Sequence, residues 1–222
     1  MRRGGAQRIP RPERWQLGGP PTWHDVLDAP HLPLAPLLDA LATLGPGRPP
    51  PFALDEPKLS AVLVALFDGH GGAEVVLTRR AEHMRNHRGE VSFPGGRTDP
   101  GETPPQTALR EAHEEVMLDP ATVTVVGELD HHATMVSRSL IVPVVGHLPG
   151  RPALHAATSE VDRILTVPLV ELMRSETYRE ERWGDHFGER SIYFFELDDE
   201  TVWGATARIL VQLLTIAAAT IR

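Results

Sequence analysis

Apolar and polar positions change their period several times along this chain. From Leu59 to Phe67 the residues are almost continuously apolar. A second apolar stretch, Ala73–Arg79, follows after Asp68-Gly69-His70-Gly71-Gly72. Two such runs separated by a glycine-rich turn predict a pair of strands. Thr103–Val116 instead carries Ala108, Leu109, Ala112 and Val116 at helical spacing. Thr103 suits an N-cap, Pro104 the first helical position and Gln106 the third, so a helix is expected to begin there. Thr122–Leu129 and Leu140–Leu148 read as strands, Val161–Arg174 as a strand end with a short helix, Ser191–Leu197 as a strand, and Ala205–Ile221 as a last helix. Strands mixed with helices predict a layered α/β fold around a mixed β-sheet.

The region before Leu59 reads differently. Residues 1–21 are rich in Gly, Pro and Arg without periodicity, which predicts a mobile basic arm. Residues 23–44 hold apolar positions with helical spacing in their later part, and 45–57 form a Pro-rich linker. Residues 1–57 are therefore expected to be an extension and 58–222 the principal domain.

Composition narrows the chemistry. The 222 residues include no cysteine, which excludes thiolate metal sites, disulfides and cysteine nucleophiles. A net charge of -8 argues against a nucleic-acid-binding surface. No secretory pattern and no apolar run of bilayer-spanning length is present, so neither a membrane nor export is expected, and a cytoplasmic location is.

On the helix Thr103–Val116, Glu111, Glu114 and Glu115 lie three and four residues apart, opposite the apolar face. Such carboxylates repel one another unless cations neutralise them, and oxygen-only donors suit Mg²⁺ or Mn²⁺. A solvated acidic face is the plainer alternative. The glycines just upstream, with Glu102 and Arg110 placed to bridge loop and helix, weigh against it.

The segment Gly96, Glu102, Arg110, Glu111, Glu114, Glu115 and Leu118 resembles the Nudix box, G-x5-E-x7-R-E-U-x-E-E-x-G-U with U apolar. Met117 stands where the box has its last glycine, and a changed turn is expected there. The resemblance implies a Nudix fold, an α/β/α sandwich with a mixed sheet, and hydrolysis of a diphosphate bond in a small nucleotide-like molecule. It implies that Glu111, Glu114, Glu115 and the Gly96 carbonyl hold Mg²⁺, with Arg110 and Glu102 paired in support. The proton acceptor is left open among Glu114, Glu115 and Glu160.

Upstream, Leu77, Thr78, Arg80, His87, Gly89, Val91 and Phe93-Pro94-Gly95-Gly96 look like the additional motif of Nudix coenzyme A diphosphatases. That likeness implies coenzyme A, or an acyl derivative, as substrate, cut to 3′,5′-ADP and a phosphopantetheine. Arg79, Arg80, Arg85, His87 and Arg88 are the residues expected to meet its phosphates. ADP-ribose, NADH or another nucleoside diphosphate derivative is the second reading, and a non-catalytic binding module the third. A homodimer is left open. Trp203 is expected to anchor the last helix, and Phe93 to wedge under the glycine loop.

Overall fold

The computed structural model describes residues 4–27, 29–52, 54–84, 87–134, 138–185 and 188–222. In chain order the strands are β1 (Gly4–Gly5), β2 (Trp15–Leu17), β3 (Lys58–Gly69), β4 (Gly72–Arg80), β5 (Val91–Ser92), β6 (Gly95–Arg97), β7 (Thr124–Glu128), β8 (His132–Thr134), β9 (Ser139–His147), β10 (Val161–Pro168), β11 (Tyr178–Asp185), β12 (Gly188–Glu196), β13 (Asp198–Asp199) and β14 (Thr201–Trp203). The helices are α1 (Leu34–Ala42), α2 (Pro104–Val116), α3 (Leu169–Met173) and α4 (Gly204–Ala219).

The principal sheet runs β10-β4-β3-β9-β7, with β5, β6 and β8 attached to β4, β3 and β9. It is mixed: β3 and β9 are parallel from Lys58↔Ser139 to Leu66↔His147, while β3 and β4 form an antiparallel hairpin closed at Gly69↔Gly72. Gly72 has φ +92°, and a Cβ there would stand 2.1 Å from the Leu32 carbonyl oxygen, so the tight hairpin requires glycine.

The apolar run of β3 reflects burial on both faces. Ala61, Leu63, Ala65 and Phe67 point to the side covered by Ala108, Ala112 and Val116 of α2. Val64 and Leu66 point to the other side, where α1, α3 and α4 pack. Helices on both faces of the mixed sheet give the expected α/β/α arrangement.

Two features depart from the sequence reading. A second sheet, β14-β12-β11-β2, lies on the side of α4, and its strand β11 was not anticipated. The arm expected to be mobile is laid onto the domain. Gly4–Gly5 pairs with Asp198–Asp199, and Trp15–Leu17 pairs with Glu181–Trp183. Arg11 makes two hydrogen bonds, of 2.8 and 2.6 Å, to the fully buried carboxylate of Glu181. Beyond the arm, Trp23 is fully buried against Tyr178 and Phe195, and its Nε1 donates to the Met173 carbonyl at 3.1 Å. The physical cause is that a buried carboxylate and a half-closed aromatic core both need partners, and residues 4–23 supply them.

Candidate active site

Helix α2 begins as expected. The backbone N–H of Thr103 donates to the Gln106 side chain at 2.8 Å, and Pro104 opens the first turn. Its end differs from the expectation. Met117 adopts the left-handed conformation, φ +58° and ψ +26°, and its N–H donates to the His113 carbonyl at 2.9 Å. The turn is therefore the one a glycine would make there, formed by a residue that pays steric strain for it.

Arg110 and Glu102 form the support. Arg110 Nε donates to Glu102 Oε1 at 2.7 Å and Nη2 to Oε2 at 3.1 Å, while Nη2 also reaches the Arg97 carbonyl at 3.0 Å. Glu102 further accepts from the Asp99 N–H and the Thr107 hydroxyl. The Arg110 guanidinium, helped by the Asp99 N–H, holds the Glu102 carboxyl down to about 2. These contacts tie the loop 97–103 to the helix.

The acidic residues divide into two groups. Glu111 and Glu115 face the strand–loop segment that ends in β6. A Cβ on Gly96 would lie 2.4 Å from the Glu111 Cδ, and the Gly95 N–H donates to Glu115 Oε2 at 3.2 Å. Burial raises both carboxyls, that of Glu115 to about 7, with the Gly95 N–H and Arg80 opposing and Glu111 adding to the rise. Glu114 instead is 54 % exposed and pairs with Arg110 Nη1 at 3.1 Å, the nitrogen that also reaches Glu111 at 2.9 Å. Among the described residues, no three His, Asp or Glu side chains are gathered closely enough to cage a metal ion. The expected triad is thus met as a close pair plus Glu114 on the Arg110 side. The donor chemistry fits a hard divalent cation: two half-desolvated carboxylates, no sulfur, and a glycine with no side chain to block the approach.

The expected phosphate-binding residues separate as well. Successive strand residues face opposite sides. Arg80 points to the α2 side, where Nη2 lies 3.2 Å from Glu160 Oε2 and Nη1 3.9 Å from Glu115 Oε1. Arg79 points to the other side and is engaged by Glu82, Asp162 and the buried Glu200, at 2.7, 3.5 and 3.6 Å. Arg79 therefore stands on the face away from α2. His87 bonds Glu90 through Nδ1 at 2.8 Å, which braces its own loop. Arg88 is exposed, and Arg85 lies outside the described residues. Phe93 is buried in the core cluster on the side of α1, α3 and α4. Trp203 sits 6.4 Å from Trp183 within an aromatic cluster.

The loop before β10 was the least legible part. The N–H groups of His155 and Ala157 donate to the carbonyls of Val116 and Glu115, and the Ala81 N–H donates to the Glu160 carbonyl at 2.8 Å. It therefore caps the end of α2 and delivers Glu160 to Arg80. No periodicity marks those contacts.

The NUDIX domain family matches residues 57–187. The chain belongs to the Nudix family. It is 38% identical over 171 residues to "Nudix hydrolase 22, chloroplastic" of Arabidopsis thaliana, covering 72% of this chain and 55% of that protein. The chain thus spans little more than half of that relative. It is 35% identical over 168 residues to "Uncharacterized Nudix hydrolase NudL" of Photorhabdus laumondii, covering 74% of this chain and 88% of that one. Among solved structures, a MutT/nudix family protein from Enterococcus faecalis aligns at TM-score 0.48 and 18% identity, over 73% of this chain and 62% of that one. Among the described residues of this Nudix protein, no helix is long and apolar enough to cross a membrane.

Proposed function

We propose that this Nudix protein is a divalent-cation-dependent diphosphatase acting on a nucleotide derivative, with coenzyme A or an acyl-coenzyme A as substrate and 3′,5′-ADP as one product. The observation that carries the reading is the placement of Glu111 and Glu115 against Gly96 and Gly95, with Arg80 and Glu160 facing them. A binding module without turnover has no evident need for two carboxylates held beyond their ordinary pKa. A cytoplasmic location belongs to the same reading, and the cysteine-free composition is compatible with it.

Glu111, Glu115 and the Gly96 carbonyl would hold Mg²⁺ or Mn²⁺, with Glu114 joining from the Arg110 side. Bound there, the cation supplies neutralisation of the diphosphate oxygens and a more acidic water. The remaining work falls to the chain. Arg110 and Glu102 fix the helix against the loop, Gly95 orients Glu115 through its N–H, and the proton of the attacking water goes to a carboxylate of this group, Glu114, Glu115 or Glu160. Coenzyme A carries a 3′-phosphate that needs a cation away from this centre. Of the arginines considered, Arg88 is exposed and suited to it, whereas Arg79 is already engaged.

The test is a substrate panel in Mg²⁺: coenzyme A, dephospho-coenzyme A, ADP-ribose, NADH and diadenosine polyphosphates, with products separated by chromatography. Coenzyme A is expected to exceed dephospho-coenzyme A in kcat/KM by roughly ten- to hundredfold, the size of one charge-assisted phosphate contact, and Arg88→Ala should narrow that gap. Faster turnover of ADP-ribose than of coenzyme A overturns the substrate. Full turnover in EDTA overturns the cation.

A further inference from the structure

Two arginines stand at this site and use their donors differently. Arg110 is a closed brace: Nε, Nη1 and Nη2 all find partners between 2.7 and 3.1 Å. Arg80 is not. Its Nη2 reaches Glu160 at 3.2 Å, its Nη1 stands 3.9 Å from Glu115, beyond hydrogen-bond range, and its buried Nε–H has no partner among the described residues. Arg80 is thus held near Glu115 by charge more than by a satisfied bonding pattern.

The backbones around it are fixed. The Arg80 N–H donates to the Glu90 carbonyl at 2.9 Å, its carbonyl accepts from Gly89 at 3.1 Å, and Val161 pairs directly with Arg80 in the sheet. The Glu160 carbonyl accepts from Ala81, and the Glu115 carbonyl accepts from Ala157. Three charged side chains therefore converge from three anchored positions. Glu115 is 12 % exposed, Arg80 26 % and Glu160 51 %, so Arg80 spans the step from the buried to the solvent side.

We propose that Arg80 is the internal counter-ion of Glu115, competing with the divalent cation for that carboxylate while positioning Glu160 at the rim of the site. The proposal rests on the reading that Glu115 binds the cation. A positive charge within about 4 Å of a half-desolvated carboxylate weakens the binding of any other cation to it. The same guanidinium draws in Glu160, a carboxylate on an exposed loop. Removing the charge at position 80 therefore has two opposite consequences: tighter cation binding and slower turnover. An arginine that only supported the fold would lower both.

The experiment measures Mn²⁺ binding to the full chain by electron paramagnetic resonance, beside kcat on the best substrate of the panel and a thermal melt. Arg80→Gln, which keeps donors and loses charge, is expected to bind Mn²⁺ about tenfold more tightly and to lose at least about tenfold in kcat. Arg80→Lys, which keeps the charge, should return Mn²⁺ affinity toward that of the unmodified protein. Folded Arg80→Gln binding Mn²⁺ equally or more weakly overturns the proposal. If that variant does not fold, the unmodified protein still decides: the Arg80 Nε resonance should move on saturation with Mg²⁺, and an unmoved resonance overturns the idea. Glu115→Gln distinguishes the two readings. If it binds Mn²⁺ as tightly as the unmodified protein, the cation site itself is wrong and the counter-ion proposal falls with it. If it binds weakly while Arg80→Gln shows no gain, only the proposal falls.

Discussion

The carboxyl group of Glu111 occupies the space that a side chain at Gly96 would need. A Cβ added there would stand 2.4 Å from Cδ and 2.5 Å from each carboxylate oxygen. The obstacle is the end of a flexible side chain, so Gly96→Ala can be accommodated by swinging Glu111 aside. The expected result is a split: a stability loss below about 1 kcal/mol, because no core atom must move, with turnover reduced at least about tenfold because a cation ligand is displaced. Urea unfolding beside steady-state kinetics measures both. Retained activity would separate Glu111 from catalysis.

Glu115 links stability to pH. Its folded-state carboxyl is raised by burial to about 7, against an ordinary value of 4.5. The folded state therefore holds the proton more tightly than the unfolded one. The stability this contributes is fully present below about 4.5 and is lost as pH rises through about 7. The span corresponds to about 3 kcal/mol. In EDTA, the unmodified protein should lose that stability between about pH 4.5 and 7 relative to Glu115→Gln. A divalent cation binds the ionised form, so its affinity should fall on acidifying below pH 7, with a proton released on binding. Parallel pH–stability curves for the two proteins would show that Glu115 ionises normally.

Much of this arrangement was legible in the sequence wherever local pattern and final packing agree. Thr103-Pro104 and the spacing of Ala108, Ala112 and Val116 announce α2, and its start and buried face are as read. The separation of Arg79 from Arg80 was not legible, because β4 extends to Arg80 rather than stopping at Arg79, and strand alternation then sends the two to opposite faces. Strand β11 escaped notice because its buried face carries Glu181 in place of an apolar residue. That charge is stabilised by Arg11, Arg179 and the Nε1 of Trp183, and Arg11 lies 170 residues away. No local period can report a partner at that distance.

That ion pair gives the arm a measurable role. Glu181 is fully buried, and among the described residues Arg11 is one of two arginines that neutralise it. Arg11→Ala leaves the carboxylate with Arg179 and Trp183, so a loss of about 1–3 kcal/mol is expected, below that of an unpaired buried charge. Deleting residues 1–21 should cost more, because the pairing of β2 with β11 goes as well. Thermal melts that match the full chain would mean the arm contributes nothing to folding.

Met117 offers the opposite outcome, a substitution that stabilises. It ends α2 with φ +58°, a conformation that costs an L-residue about 1 kcal/mol or more and glycine almost nothing. Its side chain is 51 % exposed, so little apolar burial is lost by removing it. The N–H bonds that close the turn, from Met117 to His113 and from Leu118 to Ala112, come from the backbone and survive the change. Met117→Gly should therefore raise stability by about 0.5–1 kcal/mol, after the greater freedom of glycine in the unfolded chain is subtracted. Although Glu115 lies two residues earlier in the same helical turn, these retained backbone bonds hold the turn in place, so kcat should stay within about twofold. The readouts are the urea midpoint and kcat. A destabilised Met117→Gly would mean that the methionine side chain makes contacts worth more than the strain its backbone carries.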